Sequence, residues 1–165
     1  MAVELDHVAV ANRNHATLLY LLREPLEHPE WIATVAFYKA VHVVEAAFAV
    51  KRRCHSNSHD ARIDELKHPE FQVLFKAFRP LYAASLVARY LEDSSSRKFD
   101  KDGSAAKKFT TFTDFMSAED VVKRLICKRL YTLEQNAIAF LSEDGRNLLK
   151  RISDERGELS RPASV

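Results

Sequence analysis

From Glu30 to Arg53 the chain reads EWIATVAFYKAVHVVEAAFAVKRR, a run with no glycine and no proline. Strands average about five or six residues, so an unbroken apolar stretch of this length has to be a helix. The preceding EHP supplies its start. Pro29 suits the first turn, where its missing N–H costs nothing, and Glu30 lies near the positive end of the helix dipole. Lys51, Arg52 and Arg53 suit the opposite, negative end. Because the run is apolar nearly all round, the helix is expected at the centre of the protein, surrounded by neighbours. Phe37, Val41, Val44 and Phe48 form one stripe at spacings of four, three and four. A second line at the same spacings carries Tyr38, His42 and Glu45, and continues through Ala49 to Arg52. An unpaired buried polar group costs about 1–3 kcal/mol, so this second line requires partners from elsewhere in the chain.

The composition agrees with helices. Three glycines and five prolines in 165 residues are too few for the turns of a β-rich protein, so an all-α fold with no sheet is expected. With 47% apolar residues the chain can bury one sizeable core, and residues 1–165 read as a single domain. Cys54 and Cys127 show no framework spacing, which favours a reducing, cytoplasmic setting over a disulfide scaffold. Charges at Glu4, Asp6, Arg13, Arg23 and Glu24 argue against a secretory leader. Lys39, His42 and Glu45 interrupt the most apolar stretch, so no membrane span is expected. A net charge of +2 does not by itself require a nucleic-acid partner.

Along the chain, the opening dozen residues lack a firm period and read as an arm, with a first helix starting near Asn14 and stopped by Pro25. Ser58 is placed to cap a helix over HDARIDELK, which His68-Pro69 interrupts. Pro69 and Glu70 can start another helical stretch, and Pro80 either kinks it or opens the next one. Tyr82, Ser85 and Arg89 share a face at spacings of three and four, a second polar line able to meet the first. Residues 92–116 read as an exposed loop, with 93–108 mobile and dispensable, and Phe109, Phe112 and Phe115 return the chain to the core. Ser117 with Asp120 begins a closing helix over 117–141, with Val122, Leu125, Ile126, Leu133, Ala137 and Phe140 inward and Lys123, Arg124, Lys128 and Arg129 solvated. A tail over 142–165 adds a short helix after Gly145 before fraying.

The chemistry-bearing residues concentrate in RRCHSNSHDAR, residues 52–62. His55 and His59 have the spacing of two imidazoles on one helical face, with Cys54 adjacent and His42 as a third ligand. Ser56, Asn57 and Ser58 between them read as a loop and cap, where that spacing loses its meaning, so no metal site and no cofactor is expected. A Cys54–His55 dyad fails because neighbouring side chains point apart and no third group orients the base. Arginine with histidine is different: the first holds a phosphate bidentately and the second moves a proton near neutral pH, enough for metal-free RNA cleavage. The plainer reading is that Arg52 and Arg53 end a helix while Asp60 and Arg62 make local ion pairs.

Taken together, the Trp31–Ala46 segment, the Ser58-His-x-x-Arg62 turn and the Tyr82–Tyr90 segment resemble the small helical proteins of the HEPN superfamily. The resemblance covers about residues 16–91, within core helices over 14–91. It implies an antiparallel bundle of four or five helices, commonly a homodimer. Many members of that superfamily are metal-independent ribonucleases of toxin–antitoxin or defence systems with a nucleotidyltransferase-like or antitoxin partner, and others are binding modules that lost the active site. The catalytic signature that the resemblance implies, Arg, then four to six intervening residues, then His, fits Arg23 and His28, Arg52 or Arg53 and His59, and Arg62 and His68.

Two functions from different classes follow. In the first, a ribonuclease uses His59 as acid and base, with His42 or Tyr38 in support and Arg52, Arg53, Arg62 and Arg89 on RNA phosphates. In the second, a non-catalytic binding or dimerisation module uses Tyr38, His42, Glu45, Ser58, His59, Tyr82, Ser85 and Arg89 as a buried polar network.

Overall fold

The computed structural model describes residues 3–95 and 105–152. It is an all-α bundle built from α1 (Glu4–Leu21), α2 (Pro29–Lys51), α3 (His59–Leu66) and α4 (Gln72–Tyr90), the last preceded by a 3₁₀ turn at Pro69–Phe71. After a short α5 (Phe112–Phe115), the closing helix α6 begins at Ala118–Asp120 and widens to π register over Val121–Leu130. It returns to α over Tyr131–Ala137 and ends in a 3₁₀ turn, Ile138–Phe140; α7 (Glu143–Leu148) follows.

α2 is central, as its all-round apolarity requires. α1, α4 and α6 all pack on it, and its Phe37, Val41, Val44 and Phe48 stripe is buried. Each such large side chain contributes about 1.5–3 kcal/mol of transfer free energy. Pro29 occupies the first turn. By length and composition α2 is apolar enough to cross a membrane, yet 78% of that stretch is buried against its neighbours, so packing accounts for its apolarity.

Several expectations are corrected. The first helix starts at Glu4 and not near Asn14, so the opening residues are no arm. His7, Val8, Ala11, His15 and Leu18 all face inward at helical spacing, but two of the five are imidazoles and one is alanine, which dilutes the apolar signal. α4 runs through Pro80 as one helix, so of the two alternatives Pro80 does not open a new helix. The expected loop over 92–116 contains an antiparallel pair of two-residue strands, β1 (Glu92–Asp93) and β2 (Lys107–Lys108), with each acidic residue opposite a lysine. Cross-strand opposite charges support such a pair, and this small sheet replaces the expectation of none. Phe109 N donates to Leu91 O at 2.9 Å, and Phe112 is buried, so the phenylalanine anchor holds. Most of the stretch expected to be mobile, residues 96–104, lies outside the described residues, as does the tail beyond 152.

In α6 the inward set is Val121, Leu125, Ile126 and Leu130, followed by Leu133 and Ala137; Val122 and Phe140 are only half-buried. A π register advances by i→i+5, which pairs Val121 with Ile126 and Leu125 with Leu130 and shifts the buried face from the one an α period implies. α7 starts before Gly145, because the Ser142 side chain accepts a hydrogen bond from Gly145 N.

Candidate functional site

The polar line of α2 is met from three sides. His42 Nδ1 lies 3.1 Å from Nδ1 of His7 on α1. Glu45 is 1% exposed; its Oε1 accepts from Arg62 Nε at 2.7 Å, and its Oε2 accepts from Ser56 N at 3.0 Å and lies 3.1 Å from His55 Nδ1. Arg62 Nη1 donates to His59 Nδ1 at 2.8 Å. Arginine has no acceptor atom, so neutral His59 carries its proton on Nε2.

Local sequence rules place these groups. The Ser58 side chain accepts from Ala61 N at 3.1 Å, which starts α3 at His59 and brings Arg62 onto the same helical side three residues later. α3 thereby points a guanidinium at the carboxylate of α2. His55 remains in the loop before the cap, so it shares no helical face with His59.

Burial and neighbouring charge set the protonation states. Burial, then the neighbouring His7 and Arg62, holds His42 down at about 4. Burial also lowers His7, with His55 and Arg62 adding to it against the opposing pull of Glu45. For Glu45, burial alone would raise the carboxyl, but hydrogen bonds from Ser56 and the Arg62 guanidinium hold it below the ordinary carboxylate range. Burial pushes the Cys54 thiol up, with Glu65 and Glu45 adding to it and Arg52 opposing, the reverse of the lowering that activates a nucleophilic cysteine.

The second polar line forms a separate group, with Tyr82 and Ser85 buried. Arg89 Nη1 donates to Tyr38 Oη at 3.2 Å, Arg89 Nε donates to Ser85 O at 3.0 Å, and Ser85 Oγ donates to Tyr82 O at 2.8 Å. The Arg89 guanidinium also lies 5.7 Å from the Tyr38 ring centroid and 5.0 Å from that of Tyr90. Tyr38 is exposed rather than inward, and Arg89 is half-buried. Rings of Phe37, His59 and Tyr82, with centroids 5.4–6.0 Å apart, lie between the two polar groups, so the expected single network is two groups joined by an aromatic layer.

The remaining arginines diverge. Arg52 lies between Glu65 and Glu70, 3.3 and 3.4 Å away, and donates to His68 Nδ1 at 2.8 Å. Arg53 is exposed just past the end of α2, with φ 50°. A side chain in that left-handed region costs about 1–2 kcal/mol, partly offset in glycine by its larger backbone entropy. Arg53→Gly should therefore raise stability by about 0.5–1 kcal/mol, measured as a higher denaturant midpoint with an unchanged slope.

Sequence reasoning missed two further groups. His7 enters the site from α1, in residues read as an arm. The other group is the buried cluster around Lys39, whose Nζ donates to Glu134 Oε1, to His15 Nδ1 at 2.9 Å and to Lys150 O at 3.0 Å. Ile152 N donates to Glu134 Oε2 at 2.8 Å. Burial pushes the Glu134 carboxyl up, opposed by Lys39 and the Ile152 N–H. The available signal was a lysine inside the most apolar helix of the chain.

No protein-family model, curated protein or solved structure matches the chain.

Proposed function

We propose that the protein is a non-catalytic helical binding module of HEPN type that holds single-stranded RNA without cleaving it. One observation carries the reading: Arg62, the arginine in contact with His59, spends its Nε on the buried Glu45 and its Nη1 on His59. A guanidinium fixed in this way cannot also take a phosphate, because its charge is neutralised and its side chain is turned into the fold. Arg52 is likewise held by Glu65 and Glu70. Arg89 is also hydrogen-bonded, to Ser85 and Tyr38, but no carboxylate neutralises it among the described residues, and it lies among the aromatic side chains Tyr38 and Tyr90, with Trp31 two turns earlier on the Tyr38 face of α2 and 59% exposed. Aromatic rings and arginine planes are the surfaces on which unpaired bases stack.

Incubation of the purified chain with single-stranded RNA in excess chelator tests this. The RNA should stay intact while fluorescence anisotropy reports binding that weakens in Arg89→Ala and at higher salt. Chelator-resistant cleavage that disappears in His59→Ala would overturn the proposal in favour of the ribonuclease. Absence of RNA binding would also defeat it.

A further inference from the structure

We propose that His7, Glu45 and His55 form a binding site for one divalent transition metal ion of the zinc type, pinning α1 and the 52–58 loop to the central helix. One donor atom from each of the three lies within 4.8 Å of the others. Two imidazoles and one carboxylate from three separate elements are a recurrent zinc donor set, completed by water in the fourth position. His55, 38% exposed at its side chain, gives the site its opening to solvent, while His7 and Glu45 are buried.

A second observation points to a missing ligand. His7 Nε2 is buried with no hydrogen-bond partner, the one such side-chain nitrogen or oxygen among the described residues. Leaving a buried polar atom unpaired is costly, so this nitrogen requires an explanation. Its other ring nitrogen, Nδ1, faces His42 Nδ1 at 3.1 Å. When His7 donates across that contact, Nε2 presents a lone pair, and a neutral His42 is the acceptor that fixes the tautomer. Metal-bound histidines are oriented in this way by a partner on the second nitrogen.

The carboxylate is oriented too. Arg62 holds Oε1, and Oε2, which also accepts from Ser56 N at 3.0 Å, faces His55 Nδ1 at 3.1 Å. Neighbouring donors on a tetrahedral centre with bonds of about 2.0–2.1 Å lie about 3.3–3.4 Å apart, so this pair already spans one edge. His55 lies in the exposed loop and can adjust to close the others. Arg62 cancels the charge of Glu45, so binding has to come from imidazole nitrogen rather than net negative charge. That selects zinc, cobalt or nickel over magnesium and calcium. The inference departs from the expectation of no metal site, which weighed His55 with Cys54, His59 and His42 and left out His7.

The test is calorimetric titration of the full chain, stripped by chelator and exchanged into buffer, with zinc chloride. Expected are one zinc per chain, no heat with magnesium, a rise in melting temperature on zinc addition, and a loss of affinity of more than about 100-fold in His55→Ala. Cobalt should give a visible ligand-field spectrum without a thiolate band, unchanged in Cys54→Ser. His7→Gln should lose zinc as His55→Ala does; if it fails to fold, the exposed His55 variant decides. No stoichiometric zinc binding, undiminished binding in His55→Ala, or loss in Cys54→Ser would overturn the proposal. The RNA measurements are made in chelator, so the two readings stand or fall separately.

Discussion

Lys39→Ala should destabilise the protein by about 3–5 kcal/mol, read as a fall in denaturant midpoint or outright failure to fold. Lys39 and Glu134 are both fully buried, and each has a charge whose only compensation is local. Removing the ammonium leaves the Glu134 carboxylate with the Ile152 N–H and the charge of Arg151, and it takes the Lys39 contact from His15 Nδ1 and Lys150 O. Glu134→Ala should cost as much for the reciprocal reason. The double change Lys39→Met with Glu134→Leu should cost less than the sum of the singles, because no charge then remains buried. It should still fall short of wild type. Lys39 ties α2 to α1, α6 and the segment after α7 through its contacts with His15, Glu134 and Lys150 O, and methionine replaces none of them.

That cluster shows where sequence reading reached its limit. The central helix was legible because breakers are absent over 30–53, and its buried stripe follows directly from the α period. The Ser58 cap and the start at Pro29 were legible for the same reason: each depends on residues within one turn. The first half of α1 was not, because its inward face is built from His7, Ala11 and His15, and an imidazole reads as polar until its partner is known. The partners, Lys39 and His42, are 24 and 35 positions away. Local patterning contains no information about such pairings. In α6 the pattern misled, since ten residues in π register change the spacing that defines the buried face. The two polar lines were found, and Glu45, Tyr82 and Ser85 are buried as their spacing implies, but Tyr38 is not. Periodicity says that Tyr38 and Glu45 lie near one face of α2; only the packing of α3 over one end makes Glu45 the core and leaves Tyr38 in solvent.

Arg62 is where that distinction can be measured. Arg62→Ala should lower stability by about 3–5 kcal/mol, because it leaves the Glu45 carboxylate buried with only the Ser56 N–H and His55 as partners. Arg62→Lys restores the charge but not the fork that reaches Glu45 Oε1 and His59 Nδ1 together, so about half of the loss should remain. Glu45→Gln keeps the shape and removes the charge, and it should cost less than Arg62→Ala, since an arginine side chain 8% exposed can turn part of its guanidinium to water. A guanidinium serving RNA phosphate would give the opposite order: near-wild-type melting in Arg62→Ala with a large fall in RNA affinity. Thermal melts of the three variants, alongside RNA anisotropy on those that fold, separate the two cases. A melting loss in the order Arg62→Ala, then Arg62→Lys and Glu45→Gln, identifies Arg62 as the brace between α2 and α3.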